Sequence, residues 1–291
     1  MGTLARSDRW PPVRLAALAA AIAPALWLAV LALDGGLGAR PIKQAINLTG
    51  DWSIYLLVVT LAVTPARHIL NVPRLVLARR TLGLAAFGYA ALHLVLYALD
   101  LDFALGRVAS EIALRLYLTV GAVALLGMAA LAATSWDGAV RRLGGARWNR
   151  LHRLVHACAL LSVVHFLLRS PTDTAEPMLL AGLLAWLAGW RALRRRGDVG
   201  PHKLIAHTVA AAALTAFGEA AWHGLATGID PWRILAAHLD TGFGLRPAWW
   251  VLIAGLGATA LGAAARRPQR ASARISASSA ASGAMRGQSP S

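Results

Sequence analysis

The chain has 291 residues, 57% of them hydrophobic and only 14% charged, with a mean hydropathy of +0.56, whereas soluble domains carry ~25% charged residues. Its net charge of +16 sits at the ends of apolar segments, so it reads as membrane topology and argues against a nucleic-acid partner. One cysteine, Cys158, excludes an internal disulfide, a four-cysteine iron–sulfur site and a C-x-x-C-H attachment motif.

Residues 1–13 are short and basic, with Arg6 and Arg9 before Trp10-Pro11-Pro12. The first apolar segment, Arg14 to Leu33, has roughly the 20 residues a spanning helix needs. A cleaved signal peptide is the rival reading, but the apolar core is long for one and no clear Ala-x-Ala site follows, so a retained helix is expected. The second segment runs from Trp52 to about Ala66, the third from Thr81 to Leu99, and the fourth from about Leu114 to Thr134. The fifth covers about Leu151 to Leu168 and the sixth Met178 to Leu193. Two more lie near Leu204–Trp222 and Ala248–Ala265, parted by a polar loop with Asp230, Pro231, Asp240 and Pro247. From Arg266 the chain turns to Arg, Ser, Ala and Gly, which reads as a disordered tail.

No strand pattern competes, and in lipid the backbone hydrogen bonds of such segments are met by helices. The expected fold is an all-α integral membrane protein, a polytopic helical bundle with a six-helix core and two extra C-terminal helices. Residues 1–50 hold the N-terminal segment and first helix, 51–196 the core, 197–265 the added helices and 266–291 a cytoplasmic tail. With the N-terminus inside and eight segments alternating, 22 of the 29 Lys and Arg residues fall on the inner side and 7 outside. The positive-inside rule counts Lys and Arg alone, so both ends are expected in the cytoplasm.

His93 and His165 stand deep in segments three and five, and an ionisable residue within lipid is a functional hypothesis by default. His93 is 13 residues beyond Arg80 and His165 is 12 beyond Arg153. At 1.5 Å per residue both lie ~18–20 Å from the inner boundary of a core ~30 Å thick. Two imidazoles at matched depth can ligate one haem iron from both sides of the porphyrin, since neutral imidazole suits iron. The alternative for each is a hydrogen-bonded buried histidine with no metal.

His152 and His156 are one turn apart near the inner boundary and could serve a second, inner haem, with His68 at the end of segment two as the remaining partner. Against this, 13 residues from His152 to His165 turn an ideal helix by about 220°, so the two would not share a face. Arg115, at the outer start of segment four, is a candidate partner for a haem propionate, or an ordinary interfacial arginine. Glu219 could hold a proton or a cation, or sit at the interface. The basic loop 141–153 with Trp148 could take a flavin phosphate or a quinone head, or be no more than a positive-inside loop. His202, His207, His223 and His238 are expected to be solvated.

Several pieces together resemble the haem-binding membrane subunit of the bacterial protein-methionine-sulfoxide reductase system (the MsrQ, or YedZ, family) within the ferric-reductase-like transmembrane superfamily. They are LAVTPAR at 61–67, RRTLGLAAFGYAALHLVLY at 79–97, RLYLTVG at 115–121, AATS at 132–135 and WNRLHRLVHACALLSVVHFL at 148–167. The resemblance, over about Gly50 to Arg196, implies an inner-membrane, multi-pass b-type cytochrome with one or two haems that also binds FMN. It further implies electrons drawn from the quinone pool and passed to a periplasmic molybdopterin-containing methionine-sulfoxide reductase subunit. The family's haem histidines map onto His93, His152 and His165. His156 stands where the family pattern has Tyr, and Leu116 where it has Pro. The last ~90 residues have no counterpart in its short members, so helices seven and eight inherit no role. Two rival functions remain open at this point: a stand-alone ferric or superoxide-forming reductase, and a transporter or assembly factor without haem.

Overall fold

The computed structural model describes residues 12–242 and 244–286, with side chains described through residue 266; Arg6 and Arg9, expected on the inner side, lie outside the described residues. Helix α1 is Pro12–Leu33, α2 Pro41–Ile69, and a 3₁₀ turn at Pro73–Leu77 leads into α3, Ala78–Asp100. A short α4 (Leu105–Leu114) precedes α5 (Leu116–Ala133); α6 (Asp137–Leu143) and α7 (Gly145–His152) lead into α8 (Leu154–Arg169). Helices α9 (Ala175–Arg195), α10 (Pro201–Thr227), α11 (Pro231–Ala237) and α12 (Pro247–Arg286) complete the chain. All described regular structure is helical, and seven helices among the described residues are long and apolar enough to cross a membrane. The protein is therefore a polytopic all-α membrane protein.

The helix that falls short of that standard is α9, the sixth expected span. It carries Glu176 and Arg191, buries Trp186 and Trp190, and is packed among other helices. Arg191 donates to the Leu61 carbonyl of α2 at 2.5 Å, and Trp186 Nε1 donates to Thr208 Oγ1 of α10 at 2.9 Å. Such polar ties replace the hydrophobic drive that lipid cannot supply between helices. By contrast α1 buries only Ala17 and Pro24, turns Leu15, Leu18, Leu26 and Val30 outward, and is tied in where Tyr89 donates to the Ala21 carbonyl at 2.8 Å.

Helix α2 is the axis of the bundle, in contact with α1, α3, α8, α9 and α12. It buries Leu56, Leu57 and Leu61, and Ser53 Oγ donates to the Ala86 carbonyl of α3 at 2.9 Å. Two tightly packed pairs, α2 with α3 and α5 with α8, face each other. Beside them α9, α10 and α12 form a second group.

Helix α2 begins at Pro41, eleven residues before the expected Trp52. Proline is favoured at the first helical position, and the polar run Lys43-Gln44 disguised a helix start that hydropathy alone places later. The expected boundary at residues 50/51 thus falls inside a helix. At the other end of the chain α12 stays helical to Arg286, where an irregular tail from Arg266 was expected; its alanines are the strongest helix formers.

His223 and His238, expected to be solvated, are buried instead. Glu219 is 1% exposed and paired with Arg246, with His238 Nε2 3.3 Å from its other oxygen. His223 Nε2 is 2.9 Å from Thr174 Oγ1. An acidic group so enclosed survives by its pairing. Glu219→Ala is expected to destabilise the fold by about 3 kcal/mol by stranding the guanidinium. Thermal unfolding in detergent reads this, and an unchanged midpoint would show the pair to be dispensable.

Candidate functional site

Between the α2–α3 and α5–α8 pairs lies a cavity of about 240 Å³. Leu94, Leu118, Leu125 and Phe166 make its apolar walls, and His93 and His165 enter from opposite sides. Their ring centres are 6.3 Å apart and the ring planes cross at 86°. The matched depth inferred from residue counting corresponds to actual proximity. The two parent helices α3 and α8 do not pack tightly on each other; α2 and α5 flank the gap.

Each imidazole is held the same way. His93 Nδ1 is 2.7 Å from the Ile46 carbonyl on α2, and His165 Nδ1 is 2.6 Å from the Tyr117 carbonyl on α5. A carbonyl only accepts, so Nδ1 carries the proton and Nε2 keeps its lone pair, which fixes the tautomer. One turn past each carbonyl the facing helix has a glycine. A Cβ at Gly50 would lie 3.0 Å from His93 Nδ1, and one at Gly121 would lie 2.8 Å from His165 Nδ1. Both rings therefore lie against bare backbone. Sequence reading missed both glycines as site elements.

At the rim of this cavity, Arg169 donates to Asn47 Oδ1 at 2.5 Å, and Asp51 is 3.9 Å away. Arg115, expected here, does not line the cavity: it bonds Glu111 at 2.7 Å and its side chain is 55% exposed. Helix α5 starts at Leu116, so Arg115 sits before the helix in extended backbone and points back to α4.

A second cavity of about 340 Å³ lies towards the Arg79–Arg80 end of the same bundle, with Met128 lining both. His152 lines it, stacked on Trp148 at 3.8 Å between ring centres and 3.1 Å from Thr134 Oγ1; Thr60, Arg79, Arg80 and Ser135 complete its polar part. Between His152 and His165 the regular helix is interrupted at Arg153. There i→i+3 bonds from Arg153 to Arg150 and from His156 to Arg153 replace α-helical ones, which overwinds the turn and re-aims what precedes it. His156, its Nδ1 3.1 Å from the Arg153 carbonyl, lines a surface cleft that His152 and Arg79 also reach. His68 packs on Trp190, with 5.8 Å between ring centres, and does not line the His152 cavity. The structure thus brings His93 and His165 together and leaves His152 without a histidine opposite. Outside the spans, Arg80 is 2.6 Å from Asp137, and that guanidinium holds the carboxyl below its ordinary value.

Residues 49–163 match the family model described as ferric reductase like transmembrane component. The chain is 42% identical over 187 residues to the protein-methionine-sulfoxide reductase heme-binding subunit MsrQ of Rhodospirillum rubrum, covering 63% of this chain and 90% of that one. The protein of the same description from Caulobacter vibrioides is 43% identical over 173 residues, covering 59% and 82%. That of Agrobacterium fabrum is 40% identical over 174 residues, covering 60% and 80%. No solved structure matches the chain. With this identity over nearly the whole length of such relatives, the chain belongs to the MsrQ family of ferric-reductase-like transmembrane proteins.

Proposed function

We propose that the chain is the haem-binding, electron-carrying membrane subunit of a methionine-sulfoxide reductase, and that His93 and His165 are the two axial ligands of one b-type haem. The observation that carries this reading is the pair of carbonyl-held imidazoles with ring centres 6.3 Å apart. Two metal–imidazole bonds of ~2 Å each, plus the half-width of each ring, add up to about 6 Å. The donor set fits iron, and the glycines beneath the rings leave the close approach that a Cβ would block.

Haem supplies reversible one-electron transfer. The chain's own residues supply the rest. The Ile46 and Tyr117 carbonyls orient the rings and raise their basicity as ligands. Leu94, Leu118, Leu125 and Phe166 keep water from the centre. His152, with Thr134 and Trp148 fixing its ring, is the ligand of a second haem or the inner stepping point for electrons. Arg79 and Arg80 beside Trp148 offer guanidinium groups for a flavin phosphate or a quinone oxygen. Electrons enter from the quinone pool on the inner side and leave to a periplasmic molybdopterin-containing reductase subunit. The chain then sits in the bacterial inner membrane with both ends in the cytoplasm, as its basic residues favour.

The full chain, purified in mild detergent and reduced with a quinol, tests this. Adding a purified periplasmic methionine-sulfoxide reductase subunit with methionine sulfoxide is expected to reoxidise it within the turnover time. A haem that stays reduced with both present would refute the assigned electron route. In the same preparation His152→Ala is expected to keep the outer haem's bands; their loss would transfer the outer ligand role to His152.

A further inference from the structure

We propose that Arg169, steadied by Asn47, receives a propionate carboxylate of the haem, so that the cofactor's acidic edge faces the outer end of the bundle. This rests on the ligand roles of His93 and His165 above. Arg169 lies one turn past His165 on α8, and Asn47 directly follows Ile46, whose carbonyl holds His93. The rim is thus built on the same helices as the ligands. Arg169 is the only Lys or Arg among the described residues that line the cavity. Towards its inner end the cavity meets Ile54, Leu125 and Met128, with no charged group.

A carboxylate enclosed without a cation is costly, so the acidic edge must point where the guanidinium is. Arg169 is set up to meet it. Its Nη1 donates to Asn47 Oδ1 at 2.5 Å, and its guanidinium carbon stands 4.8 Å over the Phe166 ring. Asp51 also lines this rim and pairs with Arg169 at 3.9 Å, beyond hydrogen-bond distance, so the guanidinium shares its charge with that carboxylate but keeps N–H donors free. A planar five-donor fork suits a carboxylate bidentately. Arg115, bonded to Glu111 away from the cavity, cannot do this without breaking its own pair.

Removing a cation from the haem edge disfavours the reduced, more negative form. In the full chain purified with haem, Arg169→Gln is expected to make reduction about tenfold less favourable, a fall of about 59 mV for one electron, with low-spin bands retained. Arg169→Lys should restore most of that loss, and Arg115→Gln should leave the potential where it was. A second measurement needs no folded variant. Haem dimethyl ester, reconstituted into the unmodified protein, should be lost to apomyoglobin faster than haem itself. An Arg169→Gln potential equal to the parent's, or equal retention of ester and acid by the unmodified protein, overturns the inference while His93 and His165 keep their roles. A preparation that binds no haem overturns both.

Discussion

Alanine in place of His93, or of His165, is expected to abolish the outer haem, each change alone sufficing. In the proposed site the iron would be held from two sides, and neither ring has a substitute: among the described residues no other histidine lines that cavity. Losing an outer-shell partner of a metal ligand typically costs ~10–100-fold in affinity, and losing the ligand itself costs more. The reduced-minus-oxidised spectrum of the purified variants reads the effect. The two variants should fail together because the rings form one site, although α3 and α8 are 72 residues apart at the two histidines. Full haem at unchanged potential in either variant would break the pairing.

The second large effect concerns residues that carry no functional group. Gly121→Ala puts a Cβ 2.8 Å from His165 Nδ1 and 2.9 Å from Cε1, closer than such atoms settle. The ring cannot simply retreat, because its Nδ1–H is tied 2.6 Å away to Tyr117, one turn earlier on the same helix. Either that bond breaks or α5 and α8 separate, and cores packed this tightly resist both. Haem content is expected to fall several-fold, with a shifted potential in what remains. Gly50→Ala is expected to do the same more weakly, since its Cβ would meet His93 Nδ1 at 3.0 Å and Cε1 at 3.2 Å. Normal haem in Gly121→Ala alongside loss in Gly50→Ala would reverse the ranking and with it the close-approach explanation.

These two sites mark what the sequence does and does not disclose. Apolar length and arginine placement reveal the spans, and counting residues from Arg80 and Arg153 puts His93 and His165 at one height. That works because helix rise is constant along a straight span. The glycines are illegible in the same reading: whether a missing Cβ matters depends on which helix lies across from it. The start of α2 was hidden for another reason. Residues 41–51 are polar enough to leave a hydropathy window, yet they carry Ile46, Asn47 and Gly50, half of the outer site. Arg115 and Arg169 both sit at outer helix ends in the sequence. Only the fold shows that one turns back to Glu111 and the other into the cavity. The facing of His152 was not legible because counting from an ideal helix runs straight through Arg153, where the chain is wound more tightly. Glu219 looked interfacial because its partners His238 and Arg246 both come later, in the connection between α11 and α12.

Low-temperature electron paramagnetic resonance of the oxidised protein asks most directly whether two imidazoles share one iron. With ring planes crossed at 86°, the predicted result is a strongly anisotropic low-spin ferric signal that disappears in His93→Ala and in His165→Ala alike. A high-spin signal in the unmodified protein, or that low-spin signal persisting after either substitution, would contradict it.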